Sequence, residues 1–143
     1  RMALRQRHVH RVVEQVDALD PVLAGRAERA GDVKHEVGLA RYRETARGLL
    51  IADPHGLLKL LFHPQSRRLL GVHAIGTGAT ELIHIGQTVM AAGMPIDYFI
   101  ESVFNYPTLA ECYKVAALDG VNRARLARDH GDADHGGETK RAA

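Results

Sequence analysis

GLLKLLFHPQSRRLLGVHAIGTGATELIHIGQTVM, residues 56–90, decides the architecture of this chain. It holds two apolar runs, Leu57–Phe62 and Leu69–Ile75, separated by His63-Pro64-Gln65-Ser66. Local propensity favours helix for the Leu-rich run, but its length and the turn residues at both ends favour strand, and we read strand. Two strand-length runs about a Pro-containing loop predict a β-hairpin. Neither run alternates cleanly, so both faces of the sheet are expected to be covered. From Thr80 the period lengthens. Leu82, Ile85, Gly86, Val89 and Met90 fall on one helical stripe, which Gly93 and Pro95 bring to an end. A glycine at Gly86 on that stripe would admit another backbone at close range.

Upstream, Val37 to Tyr42 and Gly48 to Ile51 read as two further strands, broken by the turn Asp53-Pro54-His55-Gly56. Downstream, a short helix is expected over Ile96 to Val103. Pro107-Thr108-Leu109-Ala110-Glu111 then opens a third helix, where Thr108 and Glu111 have capping-box spacing. Leu109, Cys112, Tyr113, Ala116, Ala117 and Gly120 form a long apolar stripe of mostly small residues, suited to close helix packing. Strands first and helices after give an α+β domain: a mainly antiparallel sheet of about four strands followed by three packed helices. Residues 1–34 read as a leader with a helix over about residues 3–19, stopped by Asp20-Pro21. Residues 127–143 have too few apolar side chains to offset the entropy of ordering and read as a disordered tail. The domain itself falls at residues 35–126.

With 143 residues, 45% of them apolar, the chain can bury one ordinary core. Nineteen Lys and Arg against 17 Asp and Glu leave a charge of +2, too small for a broad nucleic-acid footprint. A single cysteine excludes an internal disulfide, a CxxC pair and a Cys-rich zinc site. No apolar run is long enough to span a membrane and no signal peptide opens the chain, so a cytoplasmic location is expected.

Most candidates for chemistry read as structural. The nine histidines include His8 and His10, with His63, His73 and His84 scattered over different elements, and none has metal-ligand spacing. His130, Asp132, Asp134 and His135 read as a solvated tail, so no metal site is expected. Gly76-Thr77-Gly78-Ala79-Thr80 joins a strand to a helix, where phosphate cradles occur, but it lacks both dinucleotide and P-loop spacing and reads as a turn that re-aims the chain. Cys112 lies on the apolar stripe and reads as a small core residue.

FNYPTLAECYKVAALDGVNR (Phe104 to Arg123) is the most specific stretch. With EVGLARYRETARG (Glu36 to Gly48), GLLKLLF (Gly56 to Phe62) and LLGVHAIGTGATELIHIGQTVM (Leu69 to Met90), it resembles the C-terminal dimerisation domain of the pyridine nucleotide-disulfide oxidoreductase family. The resemblance covers about residues 35–126 and is nearest to the soluble transhydrogenase branch. It implies a homodimeric FAD enzyme that exchanges hydride between NADPH and NAD+, with the helix near 109–121 at the subunit interface. Most of the family carries His-Pro-Thr and a Glu beside the partner's flavin and redox disulfide. Here Tyr106 stands at the histidine's place, Pro107 and Thr108 match, and Glu111 takes the orienting position.

By that resemblance Tyr106 and Glu111 are the catalytic candidates, and Pro107 and Thr108 form a wall of the partner's flavin site. Tyrosine in place of histidine fits hydride exchange, in which no thiol needs an imidazole base. The 143 residues hold no Gly-rich FAD fingerprint, no second dinucleotide fingerprint and no CxxxxC, so this chain alone is expected to bind no FAD or NAD(P) and to be inactive. It reads as a detached or truncated domain with an unfamiliar leader. The alternative is a free-standing homodimeric or docking module without catalysis.

Overall fold

Leu58, Leu60 and Phe62 point to one side of their strand and are almost wholly shielded from solvent, as residues two apart in an extended chain should be. The computed structural model describes residues 33–135. The helix expected over 3–19, and residues 136–143, lie outside the described residues. The elements are β1 (Glu36–Arg41), a 3-10 turn (Tyr42–Glu44), α1 (Ala46–Leu50), β2 (Leu57–Phe62), β3 (Leu69–Ile75), α2 (Ala79–Ala91), α3 (Asp97–Glu101) and α4 (Glu111–His135). The hairpin forms as expected, and the sheet is antiparallel in the order β1-β2-β3. Gly38 pairs with Leu60, and Leu60 with Val72.

The sheet has three strands, not about four. Gly48 to Ile51, expected as a strand, belongs mostly to the short helix α1. Thr45 accounts for the difference: its Oγ1 donates to the Tyr42 carbonyl at 2.9 Å and accepts from the Gly48 N–H at 3.2 Å. That N-cap turns the chain into a helix before an extended run can begin. Gly48 is required there, because a Cβ would lie 1.9 Å from the Tyr42 carbonyl oxygen.

Both ends of α2 follow the sequence closely. Gly78, with φ +70°, precedes its first residue. At the far end Gly93 donates to the Met90 carbonyl and Met94 to that of Val89, the pair of bonds that closes a helix through a left-handed glycine. At Gly86 the close neighbour is side chain rather than the backbone expected: a Cβ would meet a Val72 methyl at 2.5 Å and the Tyr113 hydroxyl at 2.9 Å. That hydroxyl accepts from Gly86 N–H at 2.9 Å and donates to the Leu82 carbonyl at 2.8 Å. It thus sits astride one turn of α2.

The core is a single cluster in which Ala40, Tyr42, Leu58, Leu60 and Phe62 meet Phe99, Cys112, Tyr113, Ala116 and Ala117. α4 lies along β1, where Gly38 faces the Ala116 carbonyl and Gly120. Asp119 accepts from the Leu39 N–H at 2.9 Å, which satisfies a donor at the sheet edge. The apolar stripe of residues 109–120 is therefore used inside the protomer. Cys112, Tyr113, Ala116 and Ala117 have no exposed surface and pack inside the protomer, while Leu118 and Leu126 on other faces of the same helix stay exposed. Small residues on both sides let helix and strand backbones touch. The opposite sheet face is covered in part, with Leu61 buried and Leu57 and Lys59 half-buried.

α4 also runs on to His135, so the backbone of residues 127–135 is helical where a tail was expected. Earlier on the helix Arg123 pairs with Asp119 one turn back.

Candidate functional site

Pro107 and Thr108 belong to the turn between α3 and α4, and local bonds set its shape. Glu111 Oε2 accepts from the Thr108 N–H at 3.3 Å, the reach-back half of the capping box. The other half is absent: Thr108 Oγ1 donates instead to the Asn105 carbonyl at 2.7 Å. Leu109 and Ala110 accept from Cys112 and Tyr113 in a tight first turn. Lys114 Nζ donates to the Ser102 carbonyl at 3.1 Å and pins the start of the loop. The Tyr106-Pro107 peptide bond is cis.

This turn forms one side of an open groove of about 490 Å3. The other sides come from Arg47 on α1 and from Gly78, Glu81, Leu82 and Ile85 at the start of α2, with Leu109 beside Pro107 and Thr108. Of the four candidates read from sequence, two line the groove, Pro107 and Thr108. Tyr106 projects beside it with 75% of its surface exposed. Glu111 is half-buried and holds the turn from below. No hydrogen bond joins Tyr106 to Glu111, so Glu111 acts on the loop backbone and not on the phenol. Arg47 and Glu81 were missed. They lie on separate elements, and no spacing in the sequence signals that they share a groove.

Asp53 sets the position of the loop before α2. Its Oδ1 accepts from His55 and Gly56 N–H at 3.1 and 2.9 Å, and its Oδ2 from Thr77 N–H at 2.8 Å. Gly76 adopts φ +117° against this cluster, so Gly76-Thr77-Gly78 is a turn that re-aims the chain, as read. Burial alone would raise the Asp53 carboxyl; the bonds from Thr77, His55 and Gly56 outweigh it and hold the pKa below the ordinary value. A depressed folded pKa gives stability that is complete above the unfolded pKa of about 4 and is lost as pH falls through the folded value. Asp53→Asn should therefore lower Tm at neutral pH, with the gap to wild type narrowing on acidification from about pH 5 to pH 2. A gap that stays constant in a thermal-melt series over that range would contradict this role for the carboxylate.

Burial pushes the Cys112 thiol up to about 11, and a thiol that stays protonated is a poor nucleophile. Tyr42 and Tyr113 are raised by burial to about 12. Among the described residues, no group of three or more His, Cys, Asp or Glu could hold a metal ion, and no helix is long and apolar enough to cross a membrane.

The fold is that of the α+β domain found in flavoprotein reductases. It aligns with the HOCl-induced flavoprotein disulfide reductase RclA from Escherichia coli as its Cu(II) complex (TM-score 0.58, 23% identity, 63% of this chain and 20% of that one). It aligns equally with LpdA from Mycobacterium tuberculosis (TM-score 0.59, 21% identity, 62% of this chain and 19% of that one). Residues 25–117 match the family described as pyridine nucleotide-disulphide oxidoreductase, dimerisation domain, and the chain belongs to that family.

Within it the chain is similar to soluble pyridine nucleotide transhydrogenases. Identity is 54% over 93 residues to that of Mycobacterium tuberculosis strain H37Ra, covering 65% of this chain. It is 49% over 94 residues to that of Hamiltonella defensa, covering 64% of this chain. The chain spans 20% of the length of each of these relatives.

Proposed function

We propose that this chain acts as the dimerisation domain of a cytoplasmic flavoenzyme similar to the soluble transhydrogenases, pairing two subunits and lining part of the partner's flavin site. The observation that carries the reading is the Tyr106-Pro107-Thr108 turn, held by Glu111 and displayed at an open groove. Tyr106 stands clear of its own protomer, so the turn fits a wall against a group held elsewhere, not a pocket that encloses one. FAD, bound by nucleotide domains, would supply the hydride exchange between NADPH and NAD+. In that setting Tyr106, Pro107 and Thr108 would close one side of the flavin site and keep water from it. Glu111 fixes the backbone that presents them and is a positioning residue. The polar turn favours this reading over a docking module without catalysis, which would have no use for it.

A chimaera tests this reading directly. Residues 35–126 of this chain replace the corresponding part of a soluble transhydrogenase, and flavin content and hydride exchange are measured. A dimer that keeps FAD and exchanges hydride supports the reading, and Glu111→Ala in it should lower kcat by up to about a hundredfold with flavin content unchanged, the scale of a misplacement of about 1 Å. An inactive chimaera that still dimerises and holds FAD, or full activity in the Glu111→Ala variant, would remove the site assignment.

A further inference from the structure

The sheet has a second face that the core does not use. α4 meets β1 at Gly38, and α2 meets β3 at Val72, which pairs with Leu60. Both helices therefore lie on one side. Val37, Leu39, Leu57, Leu61 and Ile75 share the other side by the register of the three strands. Among the described residues, none of these five belongs to the core cluster or to the apolar side chains packed against it. An antiparallel sheet that gives one face to water carries polar residues there. This face is largely apolar instead, and a contiguous apolar face marks a place where something docks.

We propose that the occupant is this chain's own leader, with residues 9–19 laid across the face as a helix. In the sequence, Val9, Val12, Val13, Val16 and Leu19 form one helical stripe. From Val9 to Leu19 a helix is about 15 Å long, and from Val37 to Arg41 a strand runs about 14 Å. Stripe and face therefore match in length, and Arg5 and Arg7 fall beyond the sheet. The polar residues on the face are the bases Arg41, Lys59 and His73. Asp17, one turn after Val13, brings an acid to the edge of the stripe. The connection is long enough: residues 20–32 reach about 40 Å when extended, and β1 begins at Glu36 beside the face. The family match starts at residue 25, so the stripe lies outside it. Docking there leaves the groove at the start of α2 open, and the inference does not rest on the dimerisation reading.

Methyl NMR of the full chain, with labelled Val, Leu and Ile, tests the proposal through NOEs between leader and sheet. Val12, Val13 and Val16 should give NOEs to Leu39, Leu57 and Leu61. Val12→Asp should lower Tm by about 4 °C or more. Ala18→Asp puts the same charge on the opposite side of the leader helix and should lower Tm by less than half as much. The wild-type NOEs decide the question even where Val12→Asp does not fold. Leader methyls with no NOE to the sheet would leave the face to a separate domain and overturn the proposal. Equal losses in the two variants would overturn it too, because the stripe would then matter no more than the side facing water. In a mixture of labelled and unlabelled chains, leader-to-sheet NOEs that cross between copies would give the face to a second copy, with the same result.

Discussion

Gly38→Ala is expected to unfold the domain at ordinary temperature. The added methyl would sit 2.0 Å from the Ala116 carbonyl oxygen and 3.1 Å from the Gly120 nitrogen. Both are backbone atoms, so no side-chain rotation relieves the clash, and β1 and α4 must separate. Separation exposes Ala40, Phe62, Cys112 and Ala116, which are buried together in the core. Overpacking typically costs about 1–3 kcal/mol, but a backbone clash across the main helix–sheet contact should exceed about 4 kcal/mol, a large part of a domain's stability. Urea denaturation followed by far-UV circular dichroism checks this. A loss below about 1.5 kcal/mol, within what ordinary cores absorb, would mean that α4 can shift along β1 without disrupting the core.

Tyr113→Phe should have the second largest effect, although it removes one oxygen from a residue with no exposed surface. The hydroxyl is paired at both ends, to Gly86 N–H and to the Leu82 carbonyl. Without it, two buried backbone groups on α2 must rebond across the turn or remain unsatisfied, at a cost of about 1–3 kcal/mol. Leu82 also lines the groove, so α2 should loosen where it forms the site. Amide hydrogen exchange should quicken at Gly86 relative to Val89. Unchanged stability together with unchanged exchange would show that α2 closes its own ladder when the hydroxyl is gone.

Much of this molecule was readable before folding. The hairpin of β2 and β3 followed from two apolar runs about a Pro-containing turn, and the Gly93 stop of α2 from a glycine placed where only a left-handed residue closes the helix. The family followed from four ordered segments, and the family match over residues 25–117 agrees with it. Two departures share one origin. Gly48 to Ile51 has strand-forming residues, yet the Thr45 hydroxyl captures the Gly48 N–H and starts a helix. Thr108 has capping-box spacing, yet its hydroxyl donates to the Asn105 carbonyl and takes no bond from the Glu111 N–H. In both places a side chain chose between partners that sequence spacing alone does not rank.

The site shows the same division. The Tyr-Pro-Thr turn and Glu111 were proposed from the resemblance, and the bond between Glu111 and the Thr108 N–H spans only three residues. Arg47 and Glu81 line one groove only because the fold places α1 and the start of α2 on its sides, and no local pattern encodes that placement. The sequence by itself determined the hairpin and the ends of α2, since each depends on interactions between near neighbours in the chain, and it carried the family in four ordered segments. Only the tertiary structure decided that the stripe of residues 109–120 is core. A stripe of small residues looks alike whether it receives another subunit or its own sheet, and here Gly38 and Gly120 let the sheet reach it first.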